Sequence, residues 1–446
     1  MVYIIADDLT GATDTGAQFS KQGYNTQVVI VADSQHVANA GKVHQDTDVL
    51  VIDTETREVK PSTARLRIRH ILQHLPVKKN DLIYKKIDST LRGNIGVELD
   101  ECLKILDKDI CLFTPSLPAN KRITVGGYLI VQDQPLGLSE YYTGTLEPAD
   151  ASYIPSLLAS GTDFPSAHID LKHVMRGEHR ILHQMYALSS TGSKILVVDA
   201  INNTQLEHIL KSSFQFDGSV LYAGSAGLAN GISELYHGTK HVIPDNKHPG
   251  EPVLIVSGSM NMLTRRQIEH LITSIPLCRI IVDVEQLLYA RDRCLKDALS
   301  QARQAFRERS HTLIYPNPLY LEKHRTQQML STHHLNFREL GVKIRNFLGT
   351  LTAAILEDAQ TNNLIVTGGD TAIGVCSALG IYNLNIKDEL LPGIPLSTGV
   401  FRENTALNIV TKAGGFGEED SLCVLIEKLR QVGNCYDKQN KAADRN

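Results

Sequence analysis

No apolar run in this 446-residue sequence approaches the ~18 residues that a membrane span needs. The opening MVYIIADDLT has no basic leader and meets Asp7 and Asp8 after a few apolar residues, unlike a signal peptide. Charge of one sign is also scarce: 45 basic against 49 acidic residues leave a net charge of -4. That argues against nucleic-acid and anionic-membrane partners. The 7 cysteines are scattered, odd in number and without a CxxC, which reads as reduced, buried thiols. The expectation is a cytoplasmic protein. Several catalytic signatures are missing as well. There is no GxxxxGK[ST], so an ordinary P-loop is excluded, and no GxSxG elbow. No DxD follows the first apolar run, against an aspartyl-phosphate phosphatase. His179 and His183 stand four apart with no third zinc ligand evident.

What is present is ordinary globular composition, 42% hydrophobic and 21% charged. The length admits about three domains or two larger ones. Short β-branched runs recur: VYIIADD, TQVVIVA, DVLVIDTET, DLIYKKID, ICLFTPS and KILVVDA, then PVLIVSGS, RIIVDV, HTLIYP, NLIVTGGD and LNIVTKAGG. Continuous apolar strands alternating with amphipathic helices predict an α/β protein, two domains, each a mainly parallel sheet covered by helices. The polar, proline-bearing stretch 237–252 is the expected linker. Residues 1–236 and 253–435 are then the two domains, with 436–446 a tail. Residues 117–190 read as an insertion or a mixed sheet, and Arg291–Arg309 as a solvated helix face. An active site in the interdomain cleft is the natural expectation.

The chemistry-bearing residues sit where apolar runs end. Asp7 and Asp8 close the first; adjacent carboxylates suit a general base for an alcohol or a Mg²⁺ site, or else cap the following helix. Arg57 ends the third, placed to grip a carboxylate or to pair with Glu55 or Glu58. The densest cluster is Tyr84 to Gly96, where Lys86 and Asp88 precede Ser89, Thr90 and a helix start, a ready anion site. Ile95, Leu99, Cys102, Leu103 and Leu106 predict that helix's buried face. Three Gly-rich junctions follow: Ser257-Gly258-Ser259, Thr367-Gly368-Gly369-Asp370-Thr371 and Thr411 to Gly417. Glycines allow close backbone approach to phosphates, so the set favours a nucleotide. Asp370 holds Mg²⁺ or caps its helix on this reading. The loop Ala223 to Gly227 either touches substrate or permits tight strand–helix packing.

In order along the chain, IADDLTGATDTG, DTETR, YKKIDSTLRGNIG, AGSAGLA, SGSM, TGGDTA and TKAGGFG resemble the four-carbon acid sugar kinases. The YKKIDST form is more similar to D-threonate and D-erythronate kinases than to 3-oxo-tetronate kinases. The resemblance implies an N-terminal domain for the sugar acid, a C-terminal one for ATP with Mg²⁺, and phosphorylation of the C4 hydroxyl, D-threonate being the favoured substrate. Substrate contacts would fall on Asp8, Arg57, Lys86, Ile87, Asp88 and Ser89. Nucleotide contacts would fall on Ser257, Gly368, Gly369, Asp370, Thr371 and Gly415. In such pathways the product passes to a dehydrogenase similar to 4-phosphohydroxythreonine dehydrogenase. Residues 317–346 match nothing in the family pattern, and a homodimer is only the common default. The expected mechanism takes Asp8 as base, Asp88 as second choice, and Lys86 on the transferring phosphoryl group or the substrate carboxylate. A hydrolase or lyase of phosphorylated sugar acids and a non-catalytic sugar-acid sensor are the competing readings.

Overall fold

Strands buried on both faces need no alternation, and the runs VYIIA, TQVVI, VLVID and ICLFT are buried at every position. The computed structural model describes residues 1–31, 46–139, 141–142, 147–241, 251–317, 323–359, 361–402 and 405–431. The chain divides into two units, Met1–Val242 and Ile243–Asn446.

In the first unit the strands are β1 (Val2–Ala6), β2 (Thr26–Ile30), β3 (Val49–Asp53), β4 (Leu82–Lys86), β5 (Ile110–Thr114), β6 (Arg122–Val125), β7 (Tyr128–Val131), β8 (Gln134–Pro135), β9 (Ser166–Ile169), β10 (Ile195–Val198) and β11 (Val220–Gly224). A parallel sheet runs in the order β2-β3-β1-β4-β11-β5-β10-β9. Parallel pairing brings all its C-terminal ends to one edge. The chain winds one way through β3 and the other from β4, so the gap between the ends of β1 and β4 is the switch point where open α/β sheets bind ligands. Ile68, Ile71 and Leu72 of helix Pro61–His74 and Ile95, Leu99, Cys102 and Leu103 of helix Ile95–Leu106 share a core with Tyr3, Ile5, Leu50, Ile52 and Ile83. Each such side chain, fully buried, contributes roughly 1.5–3 kcal/mol. Leu106 of the predicted face is half-buried.

The stretch 117–190 resolves into a separate antiparallel sheet, β6-β7-β8, together with short helices and β9, which joins the parallel sheet. The β6–β7 turn uses Gly126 and Gly127 at φ +64 and +77, and both amides donate to the buried Asp199 carboxylate at 2.7 and 3.0 Å. That carboxylate fastens the hairpin to the end of β10.

The second unit holds β12 (Val253–Ser257), β13 (Leu277–Val282), β14 (His311–Pro316), β15 (Asn363–Thr367), β16 (Asn383–Leu391), β17 (Ile394–Phe401) and β18 (Thr405–Lys412). Their order is β13-β14-β12-β15-β18-β17-β16, parallel as far as β18 and antiparallel through β17 and β16. The antiparallel pair departs from the sequence expectation. Strand β16 carries Lys387, Asp388 and Glu389 on a partly exposed face, so the continuous apolar signature is missing.

Arg291–Arg307 is the expected helix, anchored by Ala298, Ala302, Ala305 and Phe306. Within 317–346 the described part forms helix Lys323–Thr332 and the start of Phe337–Asp358, the latter opened by an Asn336/Glu339 capping box. Of the cysteines, Cys102, Cys111 and Cys376 are buried, but Cys278, Cys294 and Cys423 are half-buried; all six are free thiols. This corrects the expectation of uniform burial. Cys435, the tail 436–446 and linker residues 242–250 lie outside the described residues. Among the described residues no helix is long and apolar enough to cross a membrane.

The loop Ala223 to Gly227 serves tight packing. A Cβ on Gly224 would stand 2.5 Å from the Thr114 carbonyl oxygen, and one on Gly227 would stand 2.6 Å from that of Ser116. Ser225 caps helix Ala226–Leu235 and donates to the Ser116 carbonyl at 2.8 Å. Gly224→Ala therefore forces β5 and β11 apart and is expected to cost about 1–3 kcal/mol, as overpacking does. Urea unfolding measures it, and an unchanged midpoint would refute the packing argument.

Candidate active site

At the end of β1, Asp7 and Asp8 flank one guanidinium. Arg57 donates through Nε and Nη2 to Asp7 at 2.9 and 2.8 Å, and through Nη1 and Nη2 to Asp8 at 2.6 and 2.9 Å. The loop after β3 is shaped for this. Thr56 and Arg57 donate their amides to the Asp7 carbonyl, and Asn94 holds the carbonyls of Thr56 and Val59. Gly93, at φ +96, lets the chain approach; a Cβ there would lie 3.2 Å from Asp7 Oδ2 and 3.3 Å from Arg57 Cγ. Arg57 thus pairs with neither Glu55 nor Glu58. Asp8 also accepts from the Gly11 amide at 2.9 Å and from Thr10 Oγ1 at 2.8 Å, so it caps helix Leu9–Ser20 as well. Its side chain keeps 17% exposure against 3% for Asp7, which makes Asp8 the more accessible carboxylate. Burial pushes the Asp7 carboxyl up, but Arg57 outweighs it, with help from Lys85 and Lys86, and holds it below the usual range.

At the end of β4 the two lysines separate. Lys85 is fully buried and pairs with Glu98 of helix Ile95–Leu106 at 2.7 Å, a structural tie. Lys86 turns to the other side, donates to the Ile87 carbonyl at 3.0 Å, and lies 3.1 Å from where a Gly11 Cβ would be. That places its ammonium beside the Asp8 cap. The Ile87 side chain belongs to the core, leaving only its backbone at the crevice. Asp88 accepts from Arg92 Nε at 2.7 Å and Nη2 at 3.1 Å, and from Thr90. Burial raises its carboxyl, yet Arg57 and then Arg92 prevail and hold it well below the usual range. Ser89 Oγ accepts from Arg122 of β6, a residue that no sequence pattern marks. Tertiary structure alone brings it here. Asp53 opens the DTETR motif, but no sequence pattern gives it a role. It is fully buried, its Oδ2 finds no partner among the described residues, and burial, then Glu55, then Asp8 push it well above the usual range.

In the second unit the three Gly-rich junctions begin at one level, because Ser257, Thr367 and Lys412 are register partners across β12, β15 and β18. They interlock closely: a Cβ on Gly258 would meet Thr371 Oγ1 at 2.4 Å, and one on Gly414 would meet Ser259 Oγ at 2.3 Å. Gly368 at φ +103 turns the chain into helix Gly369–Leu379. The last loop has its carbonyls pinned inward. Lys412 Nζ donates to the Ala413 and Phe416 oxygens at 3.0 and 3.1 Å, Thr264 to that of Gly414 at 2.8 Å, and Gln267 to those of Phe416 and Glu418 at 3.0 and 2.8 Å. Gly415 stays exposed. Lys412 has no carboxylate partner among the described residues, and burial pulls it down to about 7. Asp370 is exposed in the first turn of its helix, which has no side-chain cap.

Residues 2–232 match the Sugar-binding N-terminal domain and residues 254–422 the Nucleotide-binding C-terminal domain. The chain belongs to the four-carbon acid sugar kinase family. One relative in it, from Salmonella typhimurium and named D-threonate kinase, is 32% identical, covering 97% of this chain and 99% of its own. Another, from Heliobacterium modesticaldum and named D-erythronate kinase, is 27% identical over 96% of this chain and 97% of its own. A solved Haemophilus influenzae protein of the DUF1537 group shares the fold at TM-score 0.72 and 24% identity, covering 96% of this chain and 100% of that one. Members of the four-carbon acid sugar kinase family are phosphotransferases, and the family assignment makes this chain an enzyme of that kind.

The raised Asp53 carboxyl has a consequence for stability. A folded-state value above the unfolded ~3.9 means the folded chain binds the extra proton, so stability falls as pH rises from about 4. Asp53→Asn mimics the protonated acid and removes that loss. The variant is expected to match wild type near pH 4 and to exceed it as the pH rises above that, in thermal melts. Parallel pH profiles for the two proteins would disprove it.

Proposed function

We propose that the chain phosphorylates the C4 hydroxyl of a four-carbon sugar acid with ATP, D-threonate being the first choice of acid. Residues 1–236 would take the acid and 253–435 the nucleotide. The observation that carries the reading is the Arg57 clasp, which holds Asp8 as an oriented acceptor at the switch point with Lys86 beside it. The relative named D-threonate kinase, alike over nearly its whole length, supports the choice of acid.

In this reading Asp8 accepts the hydrogen bond of the C4 hydroxyl and takes its proton as O4 bonds to the γ-phosphorus and the bond to ADP breaks. Asp8 is preferred over Asp88 because its side chain is the more accessible, 17% exposed against 10%. Lys86 steadies the charge on the transferring phosphoryl group. The loops at Ser257, Gly368 to Thr371 and Gly415 cradle the triphosphate through backbone amides, and the last loop has its carbonyls drawn inward. An anion at Lys412 would restore the charge that burial discourages. Among the described residues no group of three or more acidic, His or Cys side chains is placed to hold a metal. Mg²⁺ keeps most of its waters and binds through one or two carboxylates plus phosphates, so a single carboxylate is enough to hold it here. Asp370 would be the carboxylate, and the ion would neutralise charge on the β- and γ-phosphates.

The test is an ADP-release assay with Mg-ATP against D-threonate, D-erythronate, their L-forms and 3-oxo-tetronate. Turnover of D-threonate above the others is expected; turnover of another acid reassigns the substrate, and silence from folded protein sinks the reading. Asp8→Asn should lower kcat by about 10²–10⁴. Normal turnover in that variant would remove Asp8 from the role.

A further inference from the structure

Among the described residues, every cation named at this edge but two is paired with a carboxylate. Arg57 spends four N–H···O contacts on Asp7 and Asp8, Arg92 two on Asp88, and Lys85 is bound to Glu98. Lys86 is the first exception, and Arg122 is the second. Arg122 is only 9% exposed, and no carboxylate lies within ion-pair distance of it among the described residues. One Nη donates to Ser89, the Tyr141 side chain adds a hydrogen bond and holds its ring 5.3 Å from the guanidinium, and Nε is buried with no hydrogen-bond partner among the described residues. A buried guanidinium that meets only neutral hydroxyls and an aromatic ring, with Nε left unpaired, is costly unless an anion completes it. A planar fork with donors to spare matches a carboxylate.

Its place in the chain is telling. Leu117, just past the end of β5, bridges to Arg122 through both backbone bonds, so the small sheet springs from the same edge as the strand-end loops. Asp88 lies within Coulombic reach of Arg57, Arg92 and Arg122. Because Arg57 is committed to two aspartates, it is poorly free to grip a substrate carboxylate by itself.

We propose that Arg122 is the specificity-determining residue that binds the C1 carboxylate of the sugar acid, across the Ser89 turn, leaving O4 for Asp8. This rests on the function proposed above. It assigns the three-stranded sheet β6-β7-β8 a role in substrate choice: the sheet delivers the group that separates an acid from a neutral polyol.

The experiment compares full-length wild type, Arg122→Lys and Arg122→Met. It measures steady-state kinetics and calorimetric binding with the preferred acid of the panel and with its uncharged amide. For Arg122→Met, KM and Kd for the acid should rise about 30- to 100-fold, KM for ATP should stay within about twofold, and the preference for acid over amide should collapse toward one. Guanidinium ion should restore part of the loss. Arg122→Lys keeps the charge but not the fork and should show an intermediate rise of about tenfold, a shift that decides the question if the Met variant does not fold. A folded variant that still prefers the acid as wild type does overturns the inference alone. Wild type that neither binds nor turns over any four-carbon acid overturns the underlying function instead.

Discussion

One guanidinium between two adjacent carboxylates holds the C-terminal edge of the first sheet together. Asp7 and Asp8 follow directly on a central strand, and without Arg57 their charges would repel in a poorly solvated place. Removing one partner from such a buried group typically costs about 3–5 kcal/mol. The clasp also fixes geometry. It draws the loop after β3 over the end of β1, requires a residue without a side chain at Gly93, and leaves Asp8 partly exposed while it caps its helix.

Charge compensation spreads outward from that point. Lys85 and Lys86 are neighbours on one strand, so their side chains leave on opposite faces. One is consumed by Glu98 inside the helix layer, and the other reaches the Asp8 cap. Arg92 closes on Asp88. The sum is an edge where Asp7, Asp8 and Asp88 are paired with arginines, while Lys86 and Arg122 have no carboxylate partner among the described residues.

The second unit answers the same problem with backbone instead of side chains. Three strands in common register deliver three loops to one level, and Lys412, Thr264 and Gln267 draw the last loop's carbonyls away from it. Small residues are needed where the loops touch, because Cβ atoms at Gly258 and Gly414 would collide with Thr371 and Ser259.

The sequence by itself determined the α/β class, the positions of the parallel strands other than β9 and β11, and the motifs at their ends, because burial on both faces leaves an unbroken apolar run and a polar end that stands out against it. It also determined the family, through motifs kept in order along nearly the whole chain. Strands β16 and β17 were hidden by a pattern that is half polar in the first and bounded by no strand-end motif in the second. That Arg57 pairs with the aspartates and not with Glu55 or Glu58, which of Lys85 and Lys86 was structural, that Asp53 is a buried acid without a full set of partners, and that Arg122 belonged to the edge were decided by tertiary structure. Those outcomes depend on strand order and on which side chains meet across loops distant in sequence, a matter of three-dimensional proximity that no local pattern encodes.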